Sequence, residues 1–229
     1  SSDLDDLPMI VDNAHVTVLS PPWEYFGQSY WPGGGLYRPL TVWLLALQWH
    51  VGSGAAWLFH ATNVVLHASV TGLVYVLARR VLAPSWAFLA ALLFAVHPVH
   101  VEAVANAVGV SELLCTALVL ASVLTAMRGI ADGFTPARRL GVIGFGMLAA
   151  VSKEQGFVTP ALLLVTAMCG APPGAQSARK VLPVAGVMAL LLAVSFMSWM
   201  FIFRKWMAIH SARAQTEKFE RELDRKSVV

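Results

Sequence analysis

Residues 39 to 78 read PLTVWLLALQWHVGSGAAWLFHATNVVLHASVTGLVYVLA and contain no Asp, Glu, Lys or Arg. Residues 81 to 101 and residues 181 to 203 also lack all four charged residue types. About 20 apolar residues suffice to cross a hydrocarbon core that is about 30 Å thick. These runs therefore predict membrane-spanning helices, and they decide the fold class.

The composition supports the same fold class. Of the 229 residues, 57% are hydrophobic and only 13% are charged, and the mean hydropathy is +0.66. A water-soluble domain needs a more polar surface, so we expect an all-α polytopic transmembrane helical bundle that contacts membrane lipid. The basic residues are not gathered in a patch with interleaved aromatic residues, so nucleic acid is not an expected partner. Cys115 and Cys169 lie in apolar stretches and are expected to be packing residues.

The chain divides into three parts. Residues 1 to 36 are predicted to form a loop outside the bilayer. Residues 37 to 203 are predicted to form a bundle of about six spans plus an interfacial helix, and residues 204 to 229 a charged amphipathic tail. The predicted elements of the bundle are a short interfacial or re-entrant helix near 38 to 50, spans at 56 to 78, 84 to 97 and 109 to 127, two shorter runs at 140 to 151 and 157 to 170, and a last span at 181 to 203.

Cations and carboxylates separate when these spans alternate across the membrane. The cytoplasmic side is expected to be the side that carries more Lys and Arg, which here is the side with Arg79, Arg80, Arg128, Arg138, Arg139, Arg179 and Lys180. The acidic first loop, the segment from His97 to Asn106, and Lys153 with Glu154 then fall on the opposite face. The tail after Phe203 does not fit this alternation, since it is basic yet the span count puts it outside.

The first loop carries two groups of interest. Asp5 and Asp6 are adjacent carboxylates, a pair suited either to a divalent metal ion or to a base with a raised pKa, although most acidic pairs in loops are simply solvated. Five aromatic residues follow, and they suit either the headgroup layer of the membrane or ordinary packing within the loop: Trp23, Tyr25, Phe26, Tyr30 and Trp31.

The segment HPVHVEAV at residues 97 to 104 places two imidazoles and a carboxylate within six residues at the end of a predicted span. His97, His100 and Glu102 are candidate ligands for zinc or another divalent ion, or an acid/base group with an orienting partner. The alternative is that these side chains have no ligand or catalytic role and simply lie at the end of a helix, in the membrane interface.

Two further polar groups lie within or between apolar runs. His60, Asn63 and His67 share one helical face, which favours interhelical hydrogen bonding over a ligand role because polar groups in lipid must find partners. Lys153 and Glu154 suit a salt bridge within a turn, or Lys153 and Arg38 bind a phosphate together.

Taken together, five segments resemble the membrane half of the transmembrane and tetratricopeptide-repeat protein O-mannosyltransferases. The segments are LDDLPMIVDN at 4 to 13, YRPL at 37 to 40, FHATNVVLHA at 59 to 68, FAVHPVHVEAV at 94 to 104 and SKE at 152 to 154. The resemblance covers about residues 4 to 203 and implies a GT-C glycosyltransferase fold whose luminal loop carries an acidic pair, here Asp5 and Asp6. It also implies transfer of mannose from dolichyl-phosphate mannose to Ser or Thr of secretory-pathway proteins, at the endoplasmic reticulum membrane.

The resemblance suggests a role for each candidate residue. One of Asp5 and Asp6 would accept the proton of the acceptor hydroxyl, and the other, with Glu102 and a divalent ion of unknown identity, would orient the acceptor or the donor. Arg38 and Lys153 would stabilise the charge that grows on the leaving phosphate.

Three features depart from the family pattern. The span that should precede the acidic loop and the C-terminal tetratricopeptide repeats are not in the sequence, so we expect a piece of a longer protein. Val110 stands where an arginine is expected, and the tail from Arg204 onward reads as an amphipathic helix with Phe219 and Leu223 four residues apart. The alternatives are a transporter and a catalytically inactive structural membrane subunit. The clustering of Asp, Glu and Lys at span ends argues against a transporter, although the stripe from His60 to His67 is compatible with one.

Overall fold

The computed structural model describes residues 7 to 30 and 36 to 169. These residues form eight α-helices joined by short helical turns, and they contain no strand. The α-helices are α1 (Ala14–Thr17), α2 (Pro39–Gly52), α3 (Ala56–Ala78), α4 (Pro84–Val96), α5 (Val101–Ala105), α6 (Val110–Asp132), α7 (Pro136–Ser152) and α8 (Thr159–Cys169). A π-helical turn occupies Leu7–Val11, and 3₁₀ turns occupy Pro22–Gly27, Pro98–His100, Ala107–Gly109 and Glu154–Val158. The prediction of an all-α membrane protein is confirmed.

Prolines begin several of the helices. Pro39, Pro84 and Pro136 each occupy the start of a helix, where the missing amide hydrogen costs nothing. The hydroxyl of Thr135 also accepts a hydrogen bond from the amide of Arg138 at 3.2 Å, so α7 begins at a capped position. The starts of α2 and α4 lie within one residue of the predicted runs, whereas α7 begins four residues before its predicted run at 140.

Two helices in the described part of the chain are long and apolar enough to cross a membrane, and a bent pair is a third candidate. The two are Ala56–Ala78 and Ala107–Asp132, and the pair is Pro84–Val96 with Pro98–Ala105, bent by 46°. The helix α2 is shorter than a span, as expected for the predicted interfacial or re-entrant helix. The predicted span at 181 to 203 and the tail lie outside the described residues, so the count of about six spans stays a prediction.

The helix α6 is the centre of the described bundle. It packs against α3, α7 and α8, and the Ser122 hydroxyl donates to the Val142 carbonyl of α7 at 2.9 Å. A buried apolar cluster near one end of α6 includes Met9, Leu45, Phe59 and Val110, whereas a second cluster near its other end is formed by Val123, Ala126, Val142 and Leu163. The first cluster joins the first loop and α2 to the start of α6.

The exposed basic residues lie at the second end. Asp132 pairs with Arg138 at 3.3 Å, and Leu77, two residues before Arg79, packs against the cluster at that end. Because α6 has 23 residues, its ends are about 33 Å apart at 1.5 Å per residue. The arginines that the sequence assigns to the cytoplasmic side and the cavity residues Glu102 and Lys153 are therefore at opposite ends of the described bundle, while the assignment of each end to a side of the membrane stays a prediction.

The predicted aromatic group of the first loop divides into two kinds of residue. Tyr25 is buried, and its hydroxyl accepts a hydrogen bond from the Ser20 amide at 3.1 Å, so it packs within the loop. Tyr30 is buried as well, whereas Trp23 and Phe26 are exposed and remain candidates for the headgroup layer. Trp31 lies outside the described residues.

Candidate functional site

Arg38 is fixed in place by its position before Pro39. A residue before proline is disfavoured in helical conformation, so α2 begins at Pro39 and Arg38 stays in the loop with φ −139° and ψ 58°. Its guanidinium donates from Nε to both oxygens of Glu154, at 3.0 and 3.2 Å, and from Nη2 to Oε2 at 2.7 Å. Its Cζ atom also lies 4.7 Å from the centre of the Tyr30 ring. Arg38 is thus held by a bidentate ion pair with Glu154 and by a cation–π contact with Tyr30.

Lys153 lies where α7 ends. Its amide donates the last helical hydrogen bond, to the Ala149 carbonyl at 3.1 Å, and its own backbone is extended. Its ammonium pairs with Glu112, which lies in the first turn of α6. The side chain of Lys153 is only 11% exposed, although that of Glu112 is 45% exposed. The ion pair between Lys153 and Glu112 therefore connects the end of α7 to the start of α6.

This pairing overturns the simpler expectation for Lys153 and Glu154. The sequence suggested a salt bridge between neighbours in a turn, but Glu154 binds Arg38 and Lys153 binds Glu112. The cause is backbone direction, because the chain passes from an extended residue at Lys153 into a 3₁₀ turn at Glu154. The two side chains consequently reach partners on different elements.

A cavity of about 680 Å³ is lined by Arg38, Glu112 and Lys153. It lies at the end of α6 that is remote from the exposed arginines, between the first loop, the segment from Phe94 to Gly109 and the start of α6. The ionisable side chains that line it are Arg38, His67, His100, Glu102, Glu112 and Lys153. Four of the predicted site residues, Arg38, His100, Glu102 and Lys153, are therefore brought to one cavity.

The charges in the cavity interact. Burial lowers the pKa of Lys153, and the nearby positive charge of Arg38 lowers it further, while Glu154 and Glu102 act in the opposite direction. Burial also opposes the charge on Arg38, but the hydrogen bonds and the charge of Glu154 outweigh it, so the pKa of Arg38 is raised. Two cations close enough to influence each other are suited to a ligand with a dense negative charge, such as a phosphate.

A group of rings forms the wall beside Glu102. The ring of His100 lies 4.2 Å from that of Phe94, 5.3 Å from that of His67 and 6.1 Å from that of His97, measured between ring centres. His97 is exposed, and its Nδ1 accepts a hydrogen bond from the Val99 amide at 3.2 Å. In the described residues, no three His, Cys, Asp or Glu side chains come together in a way that could hold a metal ion. A metal role for His97 and His100 stays a prediction.

The polar stripe on α3 has three different environments. Asn63 is buried and donates to the carbonyls of Val104 and Asn106, at 3.3 and 2.7 Å, which ties α3 to the segment after Glu102. His67 donates from Nε2 to the Ala95 carbonyl at 3.0 Å and lines the cavity. His60 is exposed among the described residues. The expectation that all three side chains face the bundle therefore holds for Asn63 and His67 only.

Asp5 and Asp6 lie outside the described residues, so their predicted roles stay predictions. The first described residues do reach the site, because Met9, three positions after Asp6, is buried and lines the cavity. Asn13 then caps α1 by accepting a hydrogen bond from the His15 amide at 3.0 Å. The first loop is thus packed against the cavity that holds Arg38 and Lys153.

Sequence reasoning missed three residues of the site, Glu112, Glu154 as a partner of Arg38, and Tyr30. Glu112 carried a usable signal, because a lone carboxylate within an apolar run is costly in a membrane and marks a functional position. The pairing of Arg38 with Glu154 joins residues 116 positions apart, and nothing in the sequence indicates it. Cys115 is buried, as expected of a packing residue, and nothing is described for the side chain of Cys169.

Comparison with known proteins gives a consistent result. The chain is 37% identical to protein O-mannosyl-transferase TMTC2 of Mus musculus over 175 residues, which are 70% of this chain and 21% of that protein. It is 39% identical over 133 residues to protein O-mannosyl-transferase Tmtc2 of Drosophila melanogaster, covering 54% of this chain and 14% of that protein. It is 34% identical over 185 residues to protein O-mannosyl-transferase TMTC4 of Homo sapiens, covering 66% of this chain and 24% of that protein.

The chain therefore spans about a fifth of the length of curated relatives that it matches. No protein-family model matches it, and no solved structure matches it.

Proposed function

Because this chain belongs to the transmembrane and tetratricopeptide-repeat protein O-mannosyltransferase family, we propose that it forms the donor-binding part of a protein O-mannosyltransferase. The donor would be dolichyl-phosphate mannose, the acceptor a Ser or Thr of a secretory-pathway protein, and the location the endoplasmic reticulum membrane. The observation that carries this proposal is the cavity in which Arg38 and Lys153 lie beside Glu102, with the first loop packed against it.

The proposed reaction is an inverting substitution at C1 of mannose. The oxygen of the acceptor hydroxyl forms a bond to C1 while the bond between C1 and the phosphate oxygen breaks, and the bonding electrons leave with the dolichyl phosphate. A carboxylate of the first loop, Asp6 or Asp5, takes the hydroxyl proton. Glu102, on the cavity wall, orients the donor or the acceptor.

Arg38 and Lys153 act on the leaving group. Negative charge grows on the phosphate oxygen as the bond to C1 breaks, and donors already oriented toward that oxygen stabilise the transition state more than the substrate. Arg38 is oriented before the donor binds, because Glu154 and Tyr30 fix its guanidinium. Lys153 brings a second positive charge to the same cavity.

A divalent ion bound by Asp5 and Asp6 remains part of the proposal. Since the described residues contain no cluster that could hold a metal, no step here depends on one. Activity measured after dialysis against a chelator, and again after Mg²⁺ or Mn²⁺ is restored, tests whether the acidic pair needs an ion.

The deciding experiment is transfer of radiolabelled mannose from dolichyl-phosphate mannose to a Ser/Thr-containing protein, with the full chain reconstituted in lipid. Asp6→Asn should lower the rate at least a hundredfold, because general acid/base groups contribute about 10² to 10⁴. Asp12→Asn is the matched control, since Asp12 is an exposed carboxylate of the same loop. An Asp6→Asn protein that transfers mannose at the parent rate would show that the acidic pair is only solvated and that this mechanism is wrong.

A further inference from the structure

The two cations of the cavity are both paired with carboxylates, but the two pairs are built differently. Glu154 contacts Arg38 through three hydrogen bonds, with side chains that are 27% and 13% exposed. Glu112 contacts Lys153 through one oxygen, and the Glu112 side chain is 45% exposed. The first pair is held by three hydrogen bonds and is the less exposed of the two, whereas the second is held through one oxygen and its carboxylate is partly exposed to solvent.

The position of Glu112 in its helix matters as well. Glu112 lies in the first turn of α6, where the helix dipole favours a negative charge. Its carboxylate therefore keeps a favourable environment when it leaves Lys153. For Lys153, burial and the charge of Arg38 oppose its positive charge more than Glu154 and Glu102 favour it.

We propose, on the basis of the proposed function, that Glu112 is an exchangeable counter-ion that competes with the phosphate of the lipid donor for Lys153, while Glu154 holds Arg38 throughout. When the donor binds, its phosphate replaces the Glu112 carboxylate at the ammonium. After transfer, the dolichyl phosphate has left the sugar, and Glu112 competes with this product for Lys153 and so promotes its release.

A counter-ion role for Glu112 predicts a change in phosphate affinity whose direction differs from that expected of a purely structural salt bridge. Replacing Glu112 with Gln removes the competitor, so a phosphate ligand should bind more tightly. An ion pair with one half-exposed partner is worth at most about 1 kcal/mol, so the expected gain in affinity is about two- to fivefold. Loss of a structural salt bridge would instead leave affinity unchanged or weaken it.

The experiment measures the dissociation constant of farnesyl phosphate, a short polyisoprenyl phosphate, with the full chain in lipid nanodiscs at pH 7. Glu112→Gln should tighten binding, and Glu24→Gln should not, since Glu24 is an exposed carboxylate of the first loop. Combining Glu112→Gln with Lys153→Gln should abolish the gain, because Glu112 acts through Lys153. Thermal unfolding of each variant verifies that it is folded, and Glu112→Ala repeats the test if Glu112→Gln does not fold.

Each outcome decides the matter. The counter-ion role is overturned if a folded Glu112 variant binds farnesyl phosphate equally or more weakly, or if the gain in affinity persists without Lys153. The proposed function still stands in that case, provided that the unsubstituted chain binds farnesyl phosphate and that Lys153→Gln weakens this binding. No binding by the parent chain overturns both. Inorganic phosphate distinguishes the source of the effect: a gain with farnesyl phosphate alone assigns the exchange to a lipid-linked phosphate, and an equal gain with both assigns it to phosphate charge in general.

Discussion

At the scale of single residues, the charge of Lys153 depends on pH. Its pKa is lowered from the ordinary value of 10.5 by burial and by Arg38. An ammonium with a lowered pKa loses its proton at a lower pH than a solvated lysine does. The charge that Lys153 offers to a phosphate is therefore present at low pH and is lost as the pH rises through the lowered pKa.

The expected result is an alkaline decline of kcat/KM for the donor at a pH below 10.5. Lys153→Arg should move this decline to higher pH, because an arginine does not titrate in this range. Lys153→Gln should slow transfer at pH values below this decline, where Lys153 is charged. Arg139→Gln, which removes an exposed cation at the other end of the bundle, should have little effect. The measurement is a pH profile of mannose transfer, and an unchanged decline in Lys153→Arg would show that another group titrates.

Asn63 is expected to be structural. Its side-chain amide donates to two carbonyls of the segment that carries Glu102, so Asn63→Leu removes both hydrogen bonds within the bundle. Hydrogen bonds between membrane helices contribute about 1 kcal/mol, and the free energy of unfolding should fall by about that amount. Denaturant unfolding in mixed micelles measures the change, with His60→Leu on the exposed face as the control. A large loss of turnover with unchanged stability would contradict a structural role.

At the scale of elements, the 3₁₀ turn Glu154–Val158 is held close to α7 by a glycine. A side chain at Gly156 would overlap the backbone of Ala149 and Ala150, so only glycine allows the turn to approach the helix this closely. The same approach fixes the directions in which Lys153 and Glu154 leave the backbone. The geometry of the two ion pairs thus depends on the packing of one turn on one helix.

Gly156→Ala should therefore reduce stability by about 1 to 3 kcal/mol, the usual cost of overpacking, and should also weaken donor use. Gly144→Ala is a matched control within α7, because nothing lies within 4 Å of the added methyl group. That control should be neutral or should stabilise the helix by about 0.5 to 1 kcal/mol. Equal behaviour of the two variants in unfolding and transfer assays would show that the close approach at Gly156 is unimportant.

At the scale of the whole molecule, the bundle has two chemically different ends. The cavity with Arg38, Glu102 and Lys153 lies at one end, and the ion pair between Asp132 and Arg138 lies at the other. The positive-inside rule places the arginine end in the cytosol. We therefore expect the cavity to open on the opposite side of the membrane, which under the proposed function is the lumen.

Glycosylation acceptor sites, inserted on short linkers beside Glu102 and beside Arg139, test this orientation. We expect modification beside Glu102 and none beside Arg139, because acceptor sites are modified only in the lumen. An acceptor site beside Asp6 should be modified as well. The reverse pattern would show that both the topology and the assignment of the active face are wrong.

The sequence by itself determined the class of the protein, the positions of its helices and the polarity of its two ends. Uncharged runs long enough for a membrane, prolines at helix starts and alternating clusters of basic residues are local properties, so they can be read without the fold. Helix α3 spans Ala56–Ala78, the range predicted from its apolar run. The sequence also identified Arg38, Glu102 and Lys153 as site candidates, because charged residues at the ends of apolar runs are costly unless they are used.

Only the tertiary structure decided how those charges are paired. Arg38 and Glu154 are 116 positions apart, Lys153 and Glu112 are 41 positions apart, and each contact depends on which helices pack side by side. Such contacts depend on the direction in which each backbone segment leaves its helix, as the extended Lys153 and the close approach at Gly156 show. The physical reason is that hydropathy and helix signals act within a few residues, whereas a cavity is formed by side chains that share no local sequence pattern.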